Sequence, residues 1–306
     1  MSSTVKKYFI VADVHGFYNE LQKALDEKGW DINNPDHIFV HCGDLLDRGP
    51  DAVKCLEFIN NIPRERKILI RGNHEDLMED AMFRGYFKQH DIHNGTYNTC
   101  CQIVDNIFNN VLESDEAKRT SLEEYGIHFV PGKKIESCEN WMPESDILKY
   151  TEGSILWEDY IQCCVDYAEI GDNIFVHGWI PCHLSFCYYK DGSTGKKYEY
   201  FPDWKEASPN SWGDARWFNG MEAWSNGVKI DGKTIWCGHW HCSWGNSNLH
   251  NDGVEFLKKV ETMYIDPETG KIEPHENHHT FKDKGIIALD ACTAHSGFVN
   301  CEVIEV

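Results

Sequence analysis

Three short motifs in the first quarter of the chain concentrate side chains that are suited to binding metal ions. They are ADVHG around Asp13 and His15, GDLLDRG at residues 43–49, and GNHE at residues 72–75. Aspartate and asparagine oxygens combined with histidine nitrogens suit Mn, Fe or Zn better than Ca. Two such ions sharing a carboxylate can hold a bridging hydroxide at neutral pH and stabilise the charge that develops when it attacks phosphorus. The motifs therefore predict a two-metal hydrolase of phosphate esters.

Each motif follows a run of residues with high β-propensity, which places its polar side chains at one edge of a sheet. The runs are YFIV before the first motif, HIFV before the second and KILI before the third. After each motif, apolar residues recur at helical spacing, and the first predicted helix ends near Gly29. Three strand–loop–helix units in succession predict an α/β fold in which the carboxyl ends of the strands face one side, where open α/β sheets bind ligands.

Six residues directly follow predicted strands and carry metal-binding atoms: Asp13, His15, Asp44, Asn73, His177 and His239. The first two lie two positions apart in an extended segment, so both side chains can face the same side and bind one metal. Asp44 is the natural bridging carboxylate, and Asn73 offers a carbonyl oxygen to a second metal, which the two later histidines could complete. Each residue taken alone has a structural alternative, as a turn residue, a helix cap or a packed histidine. The six placements taken together favour a metal centre.

Composition and charge limit the alternatives. The 306 residues contain no linker, low-complexity stretch or repeat, which predicts a single domain over 1–306 with insertions at about 86–170, 185–230 and 250–283. We see no signal peptide or membrane-spanning run, and the thirteen cysteines form no CxxC pair, which favours reduced thiols and a cytoplasmic location. The net charge of −21 argues against a nucleic-acid polymer as partner, because phosphate backbones need a basic surface. The oligomeric state stays open.

The same motifs, followed by VHGWIP at 176–181 and WCGHWH at 236–241, resemble those of the calcineurin-like metallophosphoesterases. The resemblance is closer to the phosphoprotein-phosphatase branch, which includes protein phosphatases and bacterial diadenosine tetraphosphatases. It implies a four-layer αββα sandwich with a dinuclear metal site at the carboxyl ends of the strands. It also implies two divalent transition metal ions, with Mn²⁺ expected to support activity in the test tube and Fe or Zn as alternatives.

The resemblance implies roles for residues beside the metal ligands. Arg48 matches a phosphate clamp, and a guanidinium can bind two phosphate oxygens in a planar fork. His74 matches the general acid that protonates the leaving group, with Asp47 orienting it and Asn73 also lying against the substrate. The residues alone leave open a surface ion pair for Arg48, and a metal ligand or helix cap for His74.

Three further candidates lie in or near the later motifs. Trp179 stands where protein phosphatases usually have glycine, and we expect its indole to narrow the cleft or contact an aromatic leaving group. His241 is either a ligand of the first metal, as in the wider superfamily, or a packed residue. Arg216, in the sequence DARWFNG, is expected to be a second phosphate-binding arginine, with a structural arginine stacked on indole as the alternative.

Three functions compete at this stage. The first is a phosphomonoesterase of the Ser/Thr protein phosphatase type, acting on a phosphorylated protein or a small phosphate ester, which GDLLDRG together with GNHE favours. The second is hydrolysis of dinucleoside polyphosphates, because the Trp- and Tyr-rich second half could stack a base. The third is an inactive binding scaffold, which the presence of every candidate ligand and of both Arg48 and His74 disfavours.

Overall fold

The computed structural model describes residues 5–110, 115–188, 194–256 and 276–306. The strands in these ranges are β1 (Lys7–Val11), β2 (His37–Cys42), β3 (Lys67–Ile70), β4 (Cys164–Val165), β5 (Ala168–Ile170), β6 (Asn173–Phe175), β7 (Cys182–Tyr188), β8 (Thr194–Tyr200), β9 (Thr234–Cys237), β10 (Phe281–Asp283), β11 (Ile286–Ala288) and β12 (Cys301–Glu305). The helices are α1 (Tyr18–Lys28), α2 (Ala52–Asn61), α3 (Asn73–Arg84), α4 (Gln89–Asn94), α5 (Thr96–Asn109), α6 (Glu116–Glu124), α7 (Glu144–Glu152), α8 (Ile155–Ile161), α9 (Pro209–Ala215), α10 (Gly220–Ser225), α11 (Cys242–His250) and α12 (Thr293–Ser296).

The first sheet positions the three early motifs. Its strand order is β12-β1-β2-β3-β4, and β1 to β4 run parallel while β12 pairs antiparallel with β1. All six residues of β2 are buried, as expected for a central parallel strand that is covered on both faces. Because the parallel strands end at the same edge, the loops after β1, β2 and β3 meet there.

The second sheet positions the two later histidine motifs. Its strand order is β10-β11-β9-β6-β5, with β11, β9 and β6 parallel to one another. The loops after β6 and β9 carry His177 and His239. A separate antiparallel hairpin of β7 and β8 follows the loop after β6 in the chain.

The two sheets pack face to face between two helical layers. Side chains such as Ile10 and Val40 from the first sheet meet Phe175 and Trp236 from the second in an apolar core between them. A larger core joins the first sheet to α1, α2, α5, α7 and α8, and another joins the second sheet to α9, α10 and α11. This arrangement confirms the α/β class and the four-layer αββα sandwich.

Local sequence signals predicted the end of the first helix correctly, but they missed two short strands. The first helix ends at Lys28 because Gly29 adopts the left-handed conformation, with φ of 79°. The predicted insertion at 86–170 supplies helices α4 to α8 and also the short strands β4 and β5, which the sequence did not indicate. Buried residues of this segment, such as Val104 and Leu148, pack in the first core, so the segment is a helical layer of the sandwich.

One predicted segment lies partly outside the described residues. The predicted insertion at 250–283 includes residues 257–275, which lie outside them.

Every helix within the described ranges is too short or too polar to cross a membrane. The cysteines whose side chains are described are all free thiols.

Candidate active site

The loops that carry the motifs have an unusual backbone conformation. Among the described residues, eight non-glycine residues have positive φ, and six of them belong to these loops: Asp13, His15, Asp44, Asp47, Arg48 and His239. Positive φ is unfavourable for residues with a Cβ atom and persists where surrounding contacts hold the backbone in place. The loops therefore aim their side chains in directions that relaxed turns would not give.

Asp44 lies at the centre of the candidate metal site. Its Oδ2 atom is 3.4 Å from Nε2 of His177, 3.8 Å from Nε2 of His15 and 4.0 Å from Nε2 of His74. Its Oδ1 atom accepts a hydrogen bond from the backbone N–H of His74 at 2.9 Å. One buried carboxylate oxygen thus faces three imidazole nitrogens.

Backbone carbonyl groups orient two of these rings. Nδ1 of His15 donates to the carbonyl oxygen of Leu46 at 3.0 Å, and Nδ1 of His177 donates to that of Cys42 at 2.8 Å. Because a carbonyl oxygen only accepts hydrogen bonds, Nδ1 carries the proton in both rings. Nε2 of His15 is therefore available as a metal ligand. Although burial lowers it, the Asp44 carboxylate raises the pKa of His177 to about 10, so Nε2 of His177 also carries a proton, which a metal ion would displace on binding.

The structure brings all six candidate ligands together. Two groups of ligand atoms share Asp44, and their members are His15, Asp44 and His74 in one and Asp44, His177 and His239 in the other. Oδ1 of Asn73 lies 2.8 Å from Nε2 of His177. The carboxylate of Asp13 accepts hydrogen bonds from the backbone N–H of His239 at 2.9 and 3.0 Å.

Charge and protonation in this group fit divalent cations. Burial raises the pKa of Asp13 well above its usual value, and the neighbouring carboxylates of Asp290 and Asp44 raise it further. Burial also raises the pKa of Asp290 to about 6. Burial lowers the pKa of His15, and lowers that of His239 to about 3, so both rings are neutral, which is the form that binds metals. Buried carboxylates beside neutral imidazoles are an environment that a metal ion stabilises.

Glu75 connects the loops around Asp44. Its Oε2 atom accepts hydrogen bonds from the backbone N–H groups of Asp44 at 3.0 Å and Gly72 at 2.7 Å. Its Oε1 atom accepts from the backbone N–H of Leu45 at 3.1 Å and from the hydroxyl of Tyr160 at 2.8 Å. The sequence motif contains Glu75, but Tyr160 lies 85 positions away and no sequence signal identified it.

His74 belongs to a chain of hydrogen bonds at the edge of the metal site. Its Nδ1 atom donates to Oδ2 of Asp47 at 2.8 Å, and the hydroxyl of Thr96 donates to the same oxygen at 2.7 Å. The backbone N–H of Asp47 donates to the hydroxyl oxygen of Thr99 at 3.1 Å. Nη2 of Arg48, an exposed side chain, lies 3.3 Å from Nε2 of the buried His74. The sequence did not indicate the two threonines, which lie near the start of α5.

The sequence profile of the family described as calcineurin-like phosphoesterase matches residues 6–243 of this chain. The chain belongs to the calcineurin-like phosphoesterase family. Residues 6–243 contain all five motifs and every candidate ligand named above. The family uses divalent metal ions, and the buried His and Asp groups around Asp44 are the corresponding candidate metal site in this chain.

Similar proteins match short stretches of this family member. A serine/threonine-protein phosphatase 1 of Salmonella typhimurium is 37% identical over 73 residues, which are 24% of this chain and 32% of that protein. A symmetrical bis(5'-nucleosyl)-tetraphosphatase of Legionella pneumophila is 36% identical over 84 residues, which are 27% of this chain and 29% of that protein. The chain thus matches about a third of the length of these relatives. A solved structure of a putative diadenosine tetraphosphatase aligns with all of this chain and 95% of that one, at 12% identity and a TM-score of 0.39.

Two site residues that the calcineurin-like resemblance suggested, Arg216 and Trp179, have their polar groups bonded to other parts of the protein. Nη1 of Arg216 donates to Asp76 at 2.6 Å and its Nη2 pairs with Asp166, so ion pairs engage both terminal nitrogens. Trp179 is only 1% exposed and its indole N–H donates to the carbonyl oxygen of Val228 at 3.2 Å. A buried indole with a satisfied N–H is a core residue, so the expectation that Trp179 lines the cleft was wrong.

His241 also lies outside the two ligand groups that share Asp44. Its Nδ1 atom is 2.8 Å from the hydroxyl oxygen of Ser243, and its charged neighbours are Glu255, Glu276 and His278. His241 also differs from His239 in its backbone position, because it immediately precedes helix α11. The structure therefore separates the two histidines of GHWH.

An aromatic residue that the sequence did not single out lies beside the site. The ring of Trp217 meets that of His239 edge-on, with their centroids 5.6 Å apart, and Trp217 is 51% exposed. Trp217 also lines an open cleft whose charged residues are Arg71, Asp76, Glu79, Asp80, Asp166, Asp214 and Arg216. An exposed indole beside His239 and an excess of acidic side chains are thus the main features of this cleft.

Proposed function

We propose that this protein is a metal-dependent phosphomonoester hydrolase of the Ser/Thr protein phosphatase type. The observation that carries the proposal is the position of His74, whose Nε2 atom lies 4.0 Å from the Asp44 carboxylate and 3.3 Å from the Arg48 guanidinium. A proton donor, a metal-binding carboxylate and a phosphate-binding cation therefore surround one point. Together these three groups suit the hydrolysis of an alkyl phosphate ester, in which charge on the phosphoryl group is stabilised and the leaving oxygen is protonated.

The metal ligands divide into two sets that share one carboxylate. Asp13, His15 and Asp44 would hold one ion, and Asp44 with Asn73, His177 and His239 would hold the other. When bound, two divalent cations would polarise the phosphoryl oxygens and make a water nucleophilic at neutral pH. The donor set suits Mn²⁺, Fe or Zn, and we expect Mn²⁺ to support activity in the test tube.

The protein's own residues position the phosphate and deliver the proton. The guanidinium of Arg48 binds phosphate oxygens and turns the ester bond toward His74. Nε2 of His74 then protonates the leaving oxygen, while Asp47 accepts from Nδ1 and keeps Nε2 pointing at the substrate. The hydroxyl of Thr96, which donates to the same Asp47 oxygen at 2.7 Å, fixes Asp47 in turn.

The cleft beside Trp217 supports a protein substrate over a polyphosphate. Five carboxylates line it against only two arginines. Both arginines are already ion-paired with these acids, Arg71 with Asp76 and Glu79, and Arg216 with Asp76 and Asp166. The cleft is therefore negative, which repels a polyphosphate chain and attracts the basic residues of a phosphorylated peptide.

A second candidate function is the hydrolysis of dinucleoside polyphosphates, and Trp217 favours it. Its indole is 51% exposed beside His239, where it could stack on a nucleobase. Base stacking on an aromatic side chain contributes about 1–3 kcal/mol per base, which would have to outweigh the repulsion by the acidic cleft.

A substrate panel on chelator-stripped protein reloaded with Mn²⁺ separates these functions. The substrates are p-nitrophenyl phosphate, a phosphothreonine peptide with neighbouring lysines, the diester counterpart of that peptide, and diadenosine tetraphosphate. We expect rapid turnover of the peptide and slow turnover of the diester and the dinucleotide. Release of two ADP molecules from diadenosine tetraphosphate, lost in Trp217→Ala, would replace the proposal with the second candidate. If the metal-loaded protein turned over none of the four substrates, both proposed activities would be wrong and the inactive binding scaffold would be the remaining function.

A further inference from the structure

A second cluster of histidine and carboxylate side chains lies outside the groups that share Asp44. Nε2 of His278 is 3.0 Å, and Nε2 of His295 is 2.7 Å, from the same oxygen atom, Oε2 of Glu276. The ligand atoms of these three residues all lie within 4.8 Å of one another. Glu276 and His278 precede strand β10, whereas His295 lies in helix α12, so the cluster joins two separate parts of the chain.

A third imidazole borders this cluster and has an unpaired nitrogen. His241 is 7% exposed, and its ring centroid is 6.4 Å from that of His278. Nδ1 of His241 is bonded to Ser243, but its Nε2 is buried and has no hydrogen-bond partner among the described residues. Burying an unpaired polar nitrogen is costly, which indicates that a group other than the described residues satisfies it.

The donor set indicates which group this is. Imidazole nitrogens and carboxylate oxygens are both ligands of Zn²⁺, which is usually bound by four ligands in a tetrahedron. Phe256 packs against the cluster, with its ring centroid 4.1 Å from that of His295 and 5.7 Å from that of His241. An apolar ring against the ligands limits access of water, as expected around a structural metal.

We propose that Glu276, His278 and His295 bind a Zn²⁺ ion. His241 lies outside the group of ligand atoms within 4.8 Å of one another, and a small movement of its ring would bring the unpaired Nε2 to the ion as the fourth ligand. This third metal site is separate from the dinuclear centre and has a structural role. Helix α12 carries His295 and also Thr293, whose hydroxyl donates to the backbone carbonyl oxygen of Asp13 at 2.9 Å. The ion thus holds in place the short helix that supports the loop of the first metal ligand.

Zinc counting in variants of the full chain tests the proposal. Metal-stripped protein is reloaded with Zn²⁺, freed of excess metal by gel filtration, and analysed for bound zinc per chain. We expect three ions in the wild type and two in His295→Gln, whose half-exposed side chain makes loss of folding a minor risk. The matched control is His250→Gln, which removes an exposed histidine paired with a single carboxylate, Asp283, and should keep all three ions.

A second set of variants isolates the proposed site. Asp44→Asn combined with His177→Asn disables the dinuclear centre and should leave one zinc ion per chain, which His278→Gln or His241→Gln then removes. The proposal is overturned if the disabled protein binds no zinc, or if His295→Gln and His278→Gln bind as much as the wild type. It is also overturned if His241→Gln removes zinc only when the dinuclear centre is intact. Because zinc is counted directly, the result does not depend on whether the protein hydrolyses phosphate esters.

Discussion

Replacing Glu75 with glutamine tests whether one buried carboxylate holds the metal-binding loops together. Each of its oxygens accepts two hydrogen bonds, Oε2 from the N–H groups of Asp44 and Gly72, and Oε1 from the N–H of Leu45 and the hydroxyl of Tyr160. In glutamine an NH₂ group replaces one oxygen, and it takes the Oε1 position because the Tyr160 hydroxyl can turn to accept a hydrogen bond from it. The hydrogen bond from the N–H of Leu45 is lost, and this buried donor is left unsatisfied.

The size of the effect follows from these contacts. A hydrogen bond to a charged group contributes about 1.5–3 kcal/mol, and the bonds that remain are weakened because glutamine is neutral. The substitution also removes a buried charge, whose cost is visible in the pKa of Glu75, which burial and the Asp44 charge raise. Allowing for that relief, we expect the free energy of unfolding to fall by about 1–3 kcal/mol. Tyr160→Phe, which removes one donor, should lower it by about 1–2 kcal/mol.

Urea unfolding of metal-free protein measures this difference, with Glu79→Gln as the matched control. Glu79 lies in the same helix, but its side chain is 42% exposed and pairs with Arg71 at the surface. Its replacement should change the free energy of unfolding by at most about 1 kcal/mol. If Glu75→Gln is no less stable than Glu79→Gln and still binds its metals, the loops are held by other contacts and the reasoning fails.

Four further predictions concern the candidate active site. Asp44→Asn should abolish both bound metal at the dinuclear centre and turnover, and near-normal rates would contradict a shared carboxylate. His74→Asn should slow alkyl phosphates by about 10²–10⁴-fold but hardly affect p-nitrophenyl phosphate, whose leaving group needs no proton; equal losses would mean that His74 is not the acid. Arg48→Ala should lower kcat/KM by about 10- to 100-fold through lost phosphate contacts, and unchanged kinetics would make it a surface residue. Gly238→Ala should lower metal affinity because the new methyl group would overlap the Asp13 carboxylate, whereas Gly213→Ala, whose methyl group meets no atom within 4 Å, should bind metal normally.

Much of the fold could be predicted because its signals are local. The strands before the three early motifs are short apolar runs, and β2 (His37–Cys42) begins with the run HIFV that was identified in the sequence. Strands β4 and β5 could not be predicted in the same way, since they contain only two and three residues and obtain their pairing from β3 and β6. Such short strands exist only because a sheet edge is already present beside them.

The candidate ligands could be found in the sequence for a similar reason. Each of them lies within four residues after the end of a strand, and parallel strands deliver such residues to one edge whatever the rest of the chain does. Their supports could not be found, because Tyr160 and Thr96 contact Glu75 and Asp47 across separations of 85 and 49 positions. Contacts of that kind depend on how the helical layer packs, which no local pattern encodes.

By itself, the sequence determined the family, the α/β sandwich and the group of acids and histidines around Asp44, because all three follow from motifs placed directly after strands. Only the tertiary structure decided which side chains face that group. In that structure Trp179 is buried in the second core, and Arg216 forms an ion pair with Asp76, which lies 140 positions away. His241 lies near Glu276 and His278. The physical reason is that a strand end fixes where a residue lies, whereas the direction of its side chain depends on the packing and charge that distant segments bring to it.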